Sequence, residues 1–149
     1  MTQVPWLKPV IPTHAVSRHT LRVRFCETDL MGIVHHANYL TYFEAARVEY
    51  LRKRGVSYAR WAAEQAVQLP VISATLDYKR TAAFDDELVV EVRLSLLTRV
   101  KVGFAYQILR GSPEHTICQG TTLLACVGAD HRPRRLPPRV ATVLCAPEL

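Results

Sequence analysis

Three absences bound what this chain of 149 residues can be: it has no uninterrupted apolar run of eighteen residues, no C-x-x-C pair, and few aromatic residues, 8% in all. The first removes the simplest form of membrane-spanning helix. Near the start, Pro5, Lys8 and Pro12 interrupt any apolar stretch of the kind a secretory signal needs, so the cytoplasm is the expected address. Cys26, Cys118, Cys126 and Cys145 are scattered, which points to reduced, mostly buried thiols and away from a zinc site or a disulfide framework. His35 and His36 adjoin, but no further histidine or carboxylate stands at a convincing ligand spacing, so no metal is expected.

What is present suits one domain. The length allows a real core yet is small enough for a partner subunit to help complete it. Charged residues make up 21% of the chain and the net charge is +6, a balance that suits nucleic acid, a membrane surface or an anionic small molecule. Part of the excess sits in Arg132, Arg134, Arg135 and Arg139, interleaved with Pro133, Pro137 and Pro138. That stretch is too short and too poor in aromatics for a nucleic-acid reader.

Residues 1–17 lack periodicity and read as an N-terminal extension, draped over the surface or partly mobile. From Arg18 to Cys26, Leu21, Val23 and Phe25 alternate with Thr20, Arg22 and Arg24, the period of a strand with one dry face. Between Asn38 and Arg54 the period changes: Leu40, Phe43, Ala46 and Tyr50 recur at helical spacing, with Asn38 suited to the N-cap and Gly55 to the stop. A short second helix begins after Ser57, carries Trp61 and ends before Pro70. Four strands follow, at 71–79, 87–97, 100–109 and 115–127. Their breaks at Phe84-Asp85-Asp86, Thr98-Arg99 and Gly111-Ser112-Pro113 are short enough for antiparallel neighbours. One long helix followed by a run of strands is an α+β pattern in which a sheet of about five strands curls around the helix and leaves exposed edges. The domain is expected over residues 18–130, with residues 131–149 as a basic, proline-rich tail.

Chemistry concentrates where the long helix begins. Asp29 lies seven positions before His36, and a carboxylate beside a helix mouth combines a base or nucleophile with backbone N–H groups able to hold an oxyanion. Gly32, without a Cβ, lets the intervening loop turn tightly. Asp29 also has a plainer reading as a turn former. Asn38 reads as the cap that aims the unpaired N–H groups. Glu44 and Arg47, three apart on the helix, suit an ion pair or a subunit contact, while Tyr39, Tyr42 and Phe43 suit core or pocket wall.

Phe25, Glu27, Thr28, Asp29, Gly32, Val34, His35, His36, Ala37, Asn38, Tyr39, Glu44, Ala46 and Arg47 together form a dense pattern. It resembles the signature of the acyl-CoA thioesterases of the hotdog fold, in the branch of the 4-hydroxybenzoyl-CoA and tol-pal-associated thioesterases. Ile33, for valine, is a mild departure. The resemblance implies a hotdog domain whose sheet continues edge to edge across a homodimer, with active sites at the interface and further association into a homotetramer. It implies Asp29 as general base or nucleophile and the N–H near His36 as oxyanion donor, with the His36 side chain also able to orient acyl group or water. Gly32, Val34, His35, Asn38 and Tyr39 fall on substrate-lining positions. The implied reaction releases a carboxylic acid and free CoA without any cofactor, and Lys79, Arg80, Arg99 and Lys101 are candidates for the CoA phosphates. Hydrolysis on an acyl carrier protein is the alternative within the enzyme class, and a non-catalytic binding or scaffold module the alternative outside it.

Overall fold

A computed structural model describes residue 13 and residues 15–149; the surface extension expected over residues 1–17 therefore lies almost entirely outside the described residues. The elements run β1 (Val16–Arg22), α1 (Asn38–Arg52), α2 (Tyr58–Gln65), β2 (Val71–Tyr78), β3 (Glu87–Leu97), β4 (Lys101–Arg110), β5 (His115–Ala125) and α3 (Pro138–Leu144). The five strands form one sheet in the order β1-β3-β4-β5-β2, with every neighbouring pair antiparallel. The α+β class, the sheet of five strands and the single long helix agree with the sequence reading.

The core lies between α1 and the sheet. Tyr42, Phe43, Ala46 and Tyr50 meet the inward side chains Leu88, Val90 and Val92 of β3 and Val102, Phe104, Tyr106 and Ile108 of β4, all buried. Phe43 stacks on Tyr106 at 4.2 Å between ring centroids. Gly120 of β5 makes this approach feasible, because a Cβ there would stand 2.6 Å from the Phe43 ring and 2.3 Å from the Thr75 carbonyl. Gly55, with φ of 80°, ends the helical region in the left-handed conformation that glycine tolerates.

Several local expectations need correction. β1 stops at Arg22 instead of reaching Cys26, because the chain must leave the sheet to approach α1. Phe25–Glu27 is a 3-10 turn, and Phe25 is 76% exposed instead of continuing the dry face. In β3 the sequence alternation of Leu88, Val90, Val92, Leu94 and Leu96, which predicts one dry face, breaks after Leu94: a bulge makes Leu97 the buried residue and leaves Leu96 out, opposite Gly103. The break at 84–86 does not join neighbours. β2 and β3 lie in different parts of the sheet, so this connection crosses between them.

Residues 131–149 contain α3, which the composition concealed beneath arginine and proline. Leu136, Val140, Ala141 and Leu144 enter the core, and the Tyr50 hydroxyl donates to the Leu144 carbonyl. β2 forms one edge of the sheet and is exposed along nearly all its length, Val71, Ile72 and Tyr78 included.

Candidate active site

The loop joining β1 to α1 is tied by a buried acid. Glu27 accepts hydrogen bonds from the Arg24 N–H at 2.7 Å and the Tyr42 hydroxyl at 3.0 Å, with Arg24 Nε at 3.2 Å. The Glu27 carbonyl accepts from the His35 N–H at 2.9 Å and from Asn38 Nδ2 at 2.7 Å. One residue thus fastens both ends of the loop to each other and to α1. Burial first, and the bond to the Glu27 carboxylate second, push the Tyr42 hydroxyl well above its ordinary pKa.

Above this base the loop closes on itself. Thr28 bridges Val34, the Asp29 N–H donates to the Ile33 carbonyl at 2.9 Å, and the Gly32 N–H returns to the Asp29 carbonyl at 3.0 Å. Asp29 is half-buried at the root of the turn, where its Oδ1 accepts the Met31 N–H at 2.8 Å. The carboxylate is therefore both a turn former, as its plainer reading required, and a group with its second oxygen available. Gly32 has φ of 78°, which a side chain would strain, and its Cβ position is open space. The Val34 N–H donates to the Ala82 carbonyl at 2.8 Å and Ile33 bridges Ala83, so the chain after β2 supports the loop from outside.

At the helix mouth, the rings of His35 and His36 stack at 4.2 Å, and His35 Nδ1 accepts the Ala37 N–H at 3.2 Å. The His36 carbonyl accepts the Tyr78 hydroxyl at 3.0 Å. The His36 N–H finds no acceptor among the described residues. A donor without a mate at an exposed helix mouth can take up negative charge on a ligand oxygen.

Asn38 does not cap the helix. Ala37 occupies the N-cap position and no side chain caps there, because the Asn38 amide is engaged with the Glu27 carbonyl. Its effect on the N–H groups is indirect, through the loop it holds. Val34 and Tyr39, expected to line substrate, are each 3% exposed and belong to the core. The Tyr39 ring meets those of Tyr42 and Tyr78, and burial pushes its hydroxyl up to about 12. The fold thus brings Asp29, Gly32, His35 and His36 to one loop and Asn38 to the first position of α1 beside it, with Val34 and Tyr39 beneath.

Glu27 and Tyr78 are supports to which the sequence assigned no role, and Tyr42, expected in the core or a pocket wall, is a core residue that also holds Glu27. Glu27 stood in the motif, and its burial was the missing signal; nothing in the sequence joined Tyr78 to His36. Glu44 and Arg47 do not pair with each other. Arg47 donates to the Tyr106 hydroxyl at 3.0 Å, which shares a 2.6 Å hydrogen bond with Thr122. The same helix face, with Glu44, Arg47, Val48 and Leu51, borders a cavity of about 360 Å³ closed by Val71 and Phe104 among others.

The basic residues considered for phosphate fall into two groups. The Lys79 and Arg80 N–H groups reach the Ile117 carbonyl, at the end of the sheet that supports the loop. Arg99 and Lys101 lie at the other end, where Lys101 pairs with Ala125. At 3.3 Å per residue the two groups are about 25 Å apart within one chain.

Residues 23–144 match the model of the thioesterase-like superfamily. The chain is similar to the acyl-CoA thioesterase YbgC of Haemophilus influenzae, with 34% identity over 107 residues that cover 72% of this chain and 77% of that protein. Among solved structures, the DHNA-CoA thioesterase from Staphylococcus aureus superposes with a TM-score of 0.76 at 31% identity, covering 81% of this chain and 80% of that one. The 4-hydroxybenzoyl-CoA thioesterase from Pseudomonas sp. strain CBS-3 has a TM-score of 0.78 over 86% of this chain and 98% of its own. At 20% identity it speaks for the hotdog fold alone. With the match over residues 23–144, the five-stranded antiparallel sheet packed on α1, and the Asp29 loop at the mouth of that helix, the chain belongs to the thioesterase-like superfamily.

Proposed function

We propose that the chain hydrolyses acyl-CoA thioesters, with Asp29 as general base or nucleophile and the His36 N–H as oxyanion donor. The observation that carries this reading is the pairing, on one loop, of a carboxylate with a free oxygen and a backbone donor that lacks an acceptor. The acyl-CoA thioesterase activity in the names of its relatives supports the substrate class.

In the general-base route, Asp29 takes a proton from water as the water oxygen attacks the thioester carbon. The carbonyl oxygen gains negative charge and accepts a hydrogen bond from the His36 N–H. Collapse of the tetrahedral intermediate breaks the C–S bond and leaves the acid and the CoA thiolate. A thiol pKa of about 8.5 makes that departure easy without full protonation. In the nucleophilic route, Asp29 attacks the thioester carbon, the C–S bond breaks to release the CoA thiolate, and water then cleaves the resulting anhydride to the free acid and the Asp29 carboxylate.

The active unit is a homodimer joined at the exposed β2 edges, and two dimers form a tetramer. An unpaired strand edge is the usual reason for such pairing. Acyl-CoA is a cytoplasmic substrate, which sets the expected address. The net charge of +6 would also suit an acidic acyl carrier protein. A panel of acyl-CoA esters, assayed by thiol release and compared with the same acyl groups on carrier protein, decides between them. Inactivity on every ester overturns the hydrolase reading, and activity confined to carrier substrates changes the carrier.

A further inference from the structure

A second cleft lies at the opposite end of α1 from the catalytic loop. The helix has fifteen residues, so its ends are about 22 Å apart at 1.5 Å per residue. The C-terminal end of α1, the helix α2 and the helix α3 enclose a space of about 470 Å³, within the range of small-molecule pockets. Its lining carries three guanidinium groups, Arg52, Arg60 and Arg139, against a single carboxylate, Glu64. Trp61 and Val143 supply apolar wall.

The charges are unevenly committed. Arg52 pairs with Glu49, and Arg60 pairs with Glu64 at 3.0 Å across one turn of α2. Both pairs are surface contacts within one helix, weak enough to yield to a stronger anion. Arg139 has no hydrogen-bond or ion-pair partner among the described residues. It comes from the basic C-terminal stretch, whose charge the catalytic reading does not use. Glu49 and Glu64 offset two of the three charges, so Arg139 leaves the rim with a net positive charge, and guanidinium forks match phosphate oxygens.

We propose that this cleft is a binding site for a nucleotide-type phosphate ester, its phosphates held by Arg52, Arg60 and Arg139 and its base or sugar against Trp61 and Val143. Two sources share that chemistry, the nucleotide half of CoA and a free nucleotide. The first source rests on the hydrolase reading, whereas the binding itself does not.

The test uses the full chain carrying Trp6→Phe, which leaves Trp61 as the sole tryptophan reporter. It is titrated with adenosine 3′,5′-bisphosphate and with inorganic pyrophosphate, by fluorescence and by calorimetry. The expected result is saturable binding that weakens as salt is raised. Arg60→Gln combined with Arg139→Gln weakens it about tenfold or more, as loss of charge-assisted hydrogen bonds implies. Both residues are exposed, so an unchanged melting temperature accompanies the loss. Absence of saturable binding, or equal affinity in the double variant, overturns the proposal.

Turnover then separates the sources. If the nucleotide is that of CoA, the double variant raises KM for acyl-CoA but not for the matching acyl-pantetheine, and the bisphosphate competes with acyl-CoA. If it is a free nucleotide, both substrates keep their KM and the bisphosphate does not compete. Either pattern supports the site, and a chain inactive on all thioesters but still binding nucleotide would refute only the hydrolase reading.

Discussion

Replacing Glu27 tests whether the Asp29 loop is held by one buried carboxylate. In Glu27→Ala the Tyr42 hydroxyl, in a residue 3% exposed, loses its acceptor, and the Arg24 N–H loses a 2.7 Å bond. A hydrogen bond to a charged group contributes about 1.5–3 kcal/mol, and a buried donor left unsatisfied costs about 1–3 kcal/mol. The Arg24 guanidinium is largely solvated and adds little. The expected loss is therefore about 2–4 kcal/mol. Tyr42→Phe removes the same bond from the other side and costs about 1.5–3 kcal/mol. Because both variants delete one shared contact, the double variant should show a coupling of about 1–2 kcal/mol. Equilibrium urea unfolding of the parent, the two single variants and the double variant measures it. Thiol-release kinetics on the same proteins should show kcat lowered by about ten- to a hundredfold in Glu27→Ala, since small displacements of reacting groups are costly. Additive effects on stability, with unaltered kcat, would refute the view that Glu27 joins the loop to α1.

Three further perturbations probe other parts of the structure. Gly120→Ala places a methyl group 2.3 Å from the Thr75 carbonyl and 2.6 Å from Phe43; overpacking of this kind costs about 1–3 kcal/mol, visible as a lower melting temperature. His19 has its pKa lowered, first by burial and then by Lys53 and Arg52. Its unfolded form therefore binds the proton more readily, and stability is full above about pH 6.5 and declines as pH falls towards the folded value. Urea midpoints should fall across that window in the parent and fall less in His19→Gln; equal slopes would contradict the assignment. Cys26 is exposed whereas Cys118 is buried, its thiol pushed up to about 11 by burial. Thiol reagents should thus modify Cys26 quickly in the native protein and reach Cys118 only on unfolding, as peptide mapping would reveal.

Legibility in the sequence followed how local each feature is. The limits of β3, Glu87–Leu97, and the start of α1 were readable because a two-residue and a 3.6-residue period are written in consecutive side chains. The bulge at Leu96 was not, since it depends on Gly103 across the ladder. The position of β2 at the far edge was equally hidden, because a short break between strands looks the same whether it forms a hairpin or crosses the sheet. The third helix escaped because Arg132, Arg134, Arg135 and the prolines dominate the composition, while Val140, Ala141 and Leu144 carry the packing. In the site, Asp29, Gly32 and His36 emerged from the motif. The true partner of Asn38 could not, since the Glu27 carbonyl lies eleven residues away and a short polar side chain before a helix suggests a cap first.

The most direct measurement of the central claim is kcat/KM of Asp29→Asn on the best acyl-CoA ester, with the melting temperature and sedimentation of the variant as controls. Loss of a positioned base predicts a fall of about 10²- to 10⁴-fold with the assembly unaltered. A variant that hydrolyses the ester as fast as the parent would contradict a catalytic role for that carboxylate.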